Sequence, residues 1–519
     1  MRRTLRRSCA ACAKFKHSCD LRTPRCSRCI KRNVLCVYAN EPLTAVVTAP
    51  AVPGYEDPGS IGRLERSPGL AGYRFGLLDP FDSYPSTRLP REHVQRLIHS
   101  FLHKIAFQYY PLDLSASSNP FLVSWWPLAL GDPALFHVSL QTACLDEELL
   151  AQRGFHASEI LMADSVALLR RKVEDPSLAV QDGTMNSVIT LAAIEFGKGN
   201  TRISQMHVDG VKKLVDMRGG INAVRQTSPL TARMISWVSM LVMGHPQFNT
   251  QDDVGIGDGI PIVPEWQLDL TPTHDTFSPL TNLDLDIAFS VKNVLIRLRN
   301  AFDHTQSLGR PFPPTRLHDL TCFVIHRLLL SAPPPAALSS PLTESVRYAI
   351  ILYMFIIHGP TYYSHAVIMD TIVNRFIASL AALEEAMTIT TTTTTPRIRM
   401  PDSLDVWFAA VGMVATVGTP SYTLFSQRAQ SLVNGSELTT LQLVRRWEDV
   451  LVHIKSILWM DTPAAEGIFR PHWDAIFTPS SSMTEVRVSS ASVCFSESTV
   501  SPMDLLLMTP ESVAMDVQT

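Results

Sequence analysis

Six cysteines fall in the order Cys9-x2-Cys12-x6-Cys19-x6-Cys26-x2-Cys29-x6-Cys36, so that C-x2-C-x6-C occurs twice with an offset of seventeen residues. No other feature of the 519-residue chain restricts its folding so tightly. So short a segment cannot bury a hydrophobic core and needs a staple. The stretch MRRTLRRSC has no apolar h-region, which predicts no secretory signal and a reducing compartment. A thiol cluster there points to metal before disulfides. Six thiols are too many for one tetrahedral zinc and too few for two separate ones. A pair of zinc ions can share six thiolates only if two sulfurs bridge both ions. The excess negative charge of such a cluster would be offset by nearby Lys and Arg.

The net charge of -3 is an average over two different regions. Residues 1–40 hold eleven Lys and Arg against one acid, Asp20, while the rest of the chain holds 34 basic and 47 acidic residues. This asymmetry predicts a basic module for a polyanion, tethered to an acidic body. With 46% hydrophobic and 18% charged residues, the body can bury a sizeable core. The scattered Cys144, Cys322 and Cys494 read as buried structural thiols. The longest strongly apolar run, AIILYMFIIHG from Ala349, is far below the roughly 20 residues that span a bilayer. It reads as a buried helix, and no membrane partner is expected.

The cysteine spacing, Pro24 two residues before Cys26 and the closing CVY resemble fungal binuclear zinc cluster transcription regulators over residues 9–38. The resemblance implies two zinc ions held by Cys9, Cys12, Cys19, Cys26, Cys29 and Cys36, with Cys9 and Cys26 bridging. Cys12 and Cys19 then complete one site, and Cys29 and Cys36 the other. It also implies double-stranded DNA as partner and the nucleus as compartment. A short helix is expected at each C-x2-C pair. By the same resemblance Lys16, near the end of the first, is expected to enter the major groove and read the G-rich half of a CGG triplet, where guanine offers O6 and N7 as adjacent acceptors. The DNA-binding set is completed by Lys14, His17, Arg22, Arg25, Arg28, Lys31 and Arg32, the cations meeting phosphates. Phe15 and Ser18 stand where many relatives are basic. The remaining form, C-A-x-x-K-x-x-C, is similar to a variant among regulators of secondary-metabolite gene clusters.

The expected domains are a zinc cluster module over 1–40, a flexible linker over 41–87, an all-α domain over 88–477 and a disordered tail over 478–519. Eight prolines and six glycines between residues 41 and 90 exclude a heptad coiled coil, so no dimerisation segment follows the cysteines. From Arg91 the apolar period turns helical, with Val94, Leu97, Ile98, Phe101, Leu102 and Ile105 on one face. A helix from Asp182, as N-cap, and one ending at Gly219-Gly220 are predicted. Others are predicted near 232–243, 284–302, 315–331, 343–357, 366–387, 404–416 and 437–459. Trp125, Trp126, Trp237 and Trp447 read as core, and His137 and His207 as packed side chains.

Three stretches in this domain resemble the second type of fungal-specific transcription factor domain: NPFLVSWWPLALGDPALFHVSLQTACLDEE from Asn119, HVDGVKKLVDMRGGINAV from His207, and RMISWVSML from Arg233. That likeness implies a helical regulatory domain, a small-molecule effector and no catalytic residues. GIGDGIP from Gly255 departs from the dinucleotide fingerprint, and neither H-E-x-x-H nor G-x-S-x-G occurs. In the tail, SPMDLLLMTPESVAMDV from Ser501 mixes acids with leucines and methionines, as activation segments that dock on a coactivator do. The chain thus reads as a zinc-dependent, sequence-specific activator of RNA polymerase II transcription. The rivals are a scaffold whose zinc module binds RNA or protein, and an enzyme with a fused zinc module.

Overall fold

A computed structural model describes residues 10–18, 26–32, 34, 84–152, 154–267, 287–309, 311–332, 340–363, 365–390, 402–434 and 446–477. The linker up to residue 83, the tail 478–519 and the threonine run beyond Thr390 lie outside the described residues, as does Cys494. The chain divides into two compact units, residues 1–77 and 78–519.

Among its described residues the first unit holds two short helices, α1 (Ala10–Lys14) and α2 (Ser27–Lys31). The second is all-helical among the described residues, its one extended pairing there being a bridge between Thr250 and Ile260. It opens with α3 (Arg91–Ser100), a π-turn (Phe101–Ile105), α4 (Ala106–Tyr109), a second π-turn (Phe121–Trp125) and α5 (Trp126–Gly131). Then come α6 (Pro133–Ala151), α7 (His156–Val173), α8 (Pro176–Ala179), α9 (Asp182–Gly197), α10 (Thr201–Met217), α11 (Ile221–Thr227) and α12 (Pro229–Met243). The last group is α13 (Phe289–Ser307), α14 (Pro314–Leu330), α15 (Pro341–His358), α16 (Ala366–Thr390), α17 (Asp402–Ala415), α18 (Tyr422–Asn434), α19 (Trp447–Ile457) and α20 (Pro463–Asp474).

The core is built around helices buried on nearly all sides. α9 packs against α6, α10 and α12, and α15 packs against α14, α16 and α17. A helix apolar all round must be enclosed by others, because each large apolar side chain gains roughly 1.5–3 kcal/mol by leaving water. Entry to α6 is set by Asp132, whose Oδ1 accepts from the N–H of Ala134 at 3.0 Å and of Leu135 at 3.3 Å, with Pro133 supplying the first helical φ. Gly183 lets α9 pass this cap closely, since a Cβ there would lie 1.8 Å from Asp132 Oδ2.

The apolar face expected from Arg91 is present: Val94, Leu97, Phe101, Leu102 and Ile105 are buried and Ile98 is half-buried. A π-turn interrupts it at Phe101, which the sequence period does not reveal. Trp125, Trp126, Trp237 and Trp447 are all in the core, and Trp125 Nε1 donates to Ser139 Oγ at 2.9 Å. Cys144 and Cys322 are buried. His137 is held by Pro133 O at 2.7 Å, and His207 is half-buried.

One expectation needs correction, and two need qualifying. Asp182 is the first residue of α9 rather than its N-cap; Gln181 holds the cap position without a side-chain bond. The Asp182 carboxylate instead accepts from Arg218 and, at 2.6 Å, from Ser228 Oγ, an ion pair that outcompetes a local cap. Of the helix expected over 437–459, only Trp447–Ile457 is helical among the described residues, and 435–445 lie outside them. One described helix is, by length and composition, apolar enough to cross a membrane: Ala366–Thr388, mean hydropathy 1.6. Asp370, Asn374, Arg375, Glu384 and Glu385 break up its apolar runs and hide it from a run-length reading. In α16 these five residues face outward, while Ile368, Ile372, Phe376, Leu380 and Leu383 are buried. That is the stripe of a helix laid on a protein core.

Candidate metal centre and nucleic-acid interface

The two halves of the cysteine repeat fold alike where they are described. The N–H of Phe15 bonds to Ala11 O and that of Arg32 to Arg28 O, both at 3.1 Å. The N–H of His17 bonds to Cys12 O at 2.9 Å and that of Val34 to Cys29 O at 3.1 Å. Each pair of bonds is related by the seventeen-residue offset of the sequence. A short helical turn closed by a wider five-residue bond therefore occurs twice.

Cys26 is the N-cap of α2, and its Sγ accepts from the Cys29 N–H at 3.4 Å. The Cys12 and Cys26 sulfurs are 3.6 Å apart, and with Cys29 all three lie within 4.8 Å of one another. Zn–S bonds of about 2.3 Å in a tetrahedron separate sulfurs by about 3.8 Å, so these thiols fit one coordination shell or two that share a corner. A disulfide between Cys12 and Cys26 does not fit, because it would need about 2.05 Å. The three side chains are 0–3% exposed, and among the described residues Ala11 and Val34 are the hydrophobics packed partly against them. Such a cluster has the donor set of a zinc site and too little apolar surface to hold the unit together alone. Cys9, Cys19 and Cys36 lie outside the described residues, as do Arg22 and Arg25.

Around this buried sulfur the cations face water. Lys14, Lys16, Arg28, Lys31 and Arg32 are exposed and His17 is half-buried. Arg32 Nη1 lies 2.9 Å from His17 Nε2, which ties the end of one repeat to the end of the other. Lys16 follows α1 with φ at +50°, a left-handed conformation rare for a residue with a Cβ. Held there, it turns the chain back into the His17–Cys12 bond. Phe15 beside it is 56% exposed, with its ring 6.4 Å from that of His17. These exposed cations, with the Phe15 ring among them, are suited to a polyanion.

The large unit holds charged groups that periodicity did not flag. Asp319 in α14 takes both Arg225 of α11 and Arg233 of α12 as ion-pair partners. The available signal was a lone charge on helices otherwise buried all round, as with Arg233 in LTARMISWVSMLVM.

Residues 7–45 match the family model of the fungal Zn(2)-Cys(6) binuclear cluster domain, and residues 96–244 that of the fungal specific transcription factor domain. No curated protein and no solved structure matches the chain. The second match spans α3 through α12, including the three motifs read from the sequence. Thiols of a binuclear zinc cluster domain in a basic segment, followed by a fungal specific transcription factor domain, are the domain pairing of a DNA-binding transcription regulator.

Proposed function

We propose that the chain is a sequence-specific regulator of RNA polymerase II transcription that reads CGG-type triplets through Lys16. The observation that carries this reading is the strained, exposed conformation of Lys16, two residues past the end of α1 and four past Cys12 of the buried thiol cluster. A reading head needs a side chain whose base is fixed, and a left-handed residue persists only when its surroundings over-determine it. Two zinc ions are assigned to Cys9, Cys12, Cys19, Cys26, Cys29 and Cys36, with Cys9 and Cys26 shared between them. The closeness of Cys26 to both Cys12 and Cys29 supports its shared role. Bound zinc supplies the folding free energy, roughly 10–16 kcal/mol per structural ion, that so small a unit lacks.

Lys14, Arg28 and Lys31 contact phosphates, and Arg22 and Arg25 are assigned the same task. Arg32 and His17 support one another and brace the two halves as well as meeting the backbone. Phe15 offers an apolar contact for a thymine methyl beside the triplet. Lys16→Ala is expected to cost about 1–3 kcal/mol on the preferred duplex and to flatten preference among sequences, whereas Arg28→Ala weakens all duplexes alike. Competition binding at fixed salt, with CGG-containing, scrambled and RNA competitors, measures both. Equal loss on specific and random DNA for Lys16→Ala assigns the reading elsewhere, and preference for RNA favours the scaffold rival.

The domain limits proposed are 1–40, 41–87, 88–477 and 478–519, with nuclear residence and no coiled-coil pairing after the cysteines. The secondary-metabolite assignment follows only the C-A-x-x-K-x-x-C form. Activation is assigned to the tail, where acids keep Leu505, Leu506 and Leu507 available to a coactivator groove. Residues 478–519 fused to an unrelated DNA-binding domain are expected to drive a reporter, and silence of that fusion removes the activator assignment.

A further inference from the structure

The turn that carries Lys16 is closed by a main-chain bond from the His17 N–H to Cys12 O at 2.9 Å. Lys16 itself stands at φ +50°. A left-handed residue with a Cβ is disfavoured by about as much as one exposed hydrogen bond returns. The closing bond therefore leaves the turn near balance, and a second hold decides whether it keeps one conformation. The assigned ligands Cys12 and Cys19 pin the ends of this stretch, but six residues lie between them.

The second hold comes from the other repeat. Arg32 Nη1 lies 2.9 Å from His17 Nε2. A guanidinium only donates, so Nε2 is the acceptor and the ring proton is on Nδ1. Arg32 is anchored in turn as the C-cap of α2, with its N–H bonded to Arg28 O at 3.1 Å. A side chain rooted on α2 thus grips the residue next to Lys16. The seventeen-residue offset shows how one-sided this grip is. The positions that match Arg32 and His17 in the opposite halves are Phe15 and Val34, an apolar pair that cannot form a hydrogen bond. The repeat cannot supply this link twice, and the half that receives it is the one that carries Lys16.

We propose that Arg32 is a positioning residue for sequence discrimination: by gripping His17 it fixes the turn from which Lys16 reads guanine. This role deepens the reading proposed above and rests on Lys16 being the reader. A hydrogen-bonding side chain discriminates among bases only while its root is fixed, because a mobile lysine meets phosphates as readily as guanine. Charge draws the module to any duplex. The Arg32–His17 bond decides how far one sequence is preferred over another.

The test measures the affinity of the full zinc-loaded chain for a CGG-containing and a scrambled duplex at fixed salt, and takes the ratio. Arg32 and His17 are also assigned to the DNA backbone, and the ratio divides that shared loss out. Arg32→Ala and His17→Leu are each expected to lower the ratio by about fivefold or more. The double variant should lose no more of it than either single one, since both remove the same bond. His17→Gln, whose Oε1 can accept from Arg32, should recover most of what His17→Leu loses. Zinc content and circular dichroism establish that each variant is folded. Should Arg32→Ala lose its zinc, the comparison of His17→Gln with His17→Leu decides. A ratio unchanged by Arg32→Ala and His17→Leu, while Lys16→Ala collapses it, overturns the positioning role and leaves Lys16 as the reader. Additive losses in the double variant, or His17→Gln no better than His17→Leu, overturn it too. A ratio that survives Lys16→Ala removes the reading itself, and the positioning role with it.

Discussion

Cys26→Ser, like chelation of zinc, is expected to abolish duplex binding while leaving the melting of the large unit unchanged. Cys26 is fully buried at the centre of the three described thiols, caps α2 and receives the Cys29 N–H. Replacing its thiolate by a hydroxyl removes a soft ligand from the site and weakens the cap of α2. Among the described residues, Ala11 and Val34 are the hydrophobics that pack against the sulfurs, which offers little apolar core there in place of metal. The free energy at stake, on the order of 10 kcal/mol or more, exceeds what any surface contact of so small a unit can return. Elemental analysis should find two zinc ions per chain, binding assays should lose specific and non-specific DNA affinity together, and zinc should restore both after chelation but not in the variant. Persistence of CGG-dependent binding in fully zinc-free protein would contradict the assignment of metal to folding.

Asp319→Ala is expected to destabilise the large unit by about 3 kcal/mol or more, because it strands two guanidiniums that share one carboxylate. The side chains of Asp319, Arg233 and Arg225 are 10%, 14% and 23% exposed, so water screens the loss poorly. Burial opposes ionisation of Asp319, but hydrogen bonds from Arg233 and Arg225 outweigh it and hold its pKa below the usual carboxylate value. Its contribution is therefore complete above that usual value and is lost only as the pH falls below it towards the folded pKa. Buried histidines nearby act in a higher window. Burial depresses His358 to about 4 and, together with the His358 charge, His365 to about 3, from 6.5. Both contribute fully above about pH 6.5, and their contribution falls as acid protonates the unfolded chain alone. Wild type and Asp319→Ala should thus lose stability in parallel from pH 7 to 5, and their difference should narrow only below about pH 4. Chemical denaturation across that range measures it. A gap that closes between pH 7 and 5 would mean that Asp319 is not held ionised by its arginines.

Much of the binding head was legible in the chain itself. Cysteine spacing is a metal-ligand code because tetrahedral geometry allows few arrangements, and the seventeen-residue repeat reappears as paired backbone hydrogen bonds. Amphipathic helices such as α3 and α10 were readable for a similar reason: one wet face imposes a period. α6 and α9 are harder to place, since burial on all sides removes that period. Asp182 has the residue type of a cap, yet Arg218, thirty-six positions away, claims its carboxylate.

By itself, then, the order of residues determined the paired cysteine motif, the basic segment, the helical class and the domain families, because each depends on chemistry repeated over short spans. Tertiary structure alone decided that Lys16 is held in a left-handed turn and that Arg225, Arg233 and Asp319 share a cavity with His318. The cavity arises from packing between helices distant in the chain, where no local spacing records which side chains will meet, whereas the Lys16 turn is a local backbone closure that its residue type does not announce.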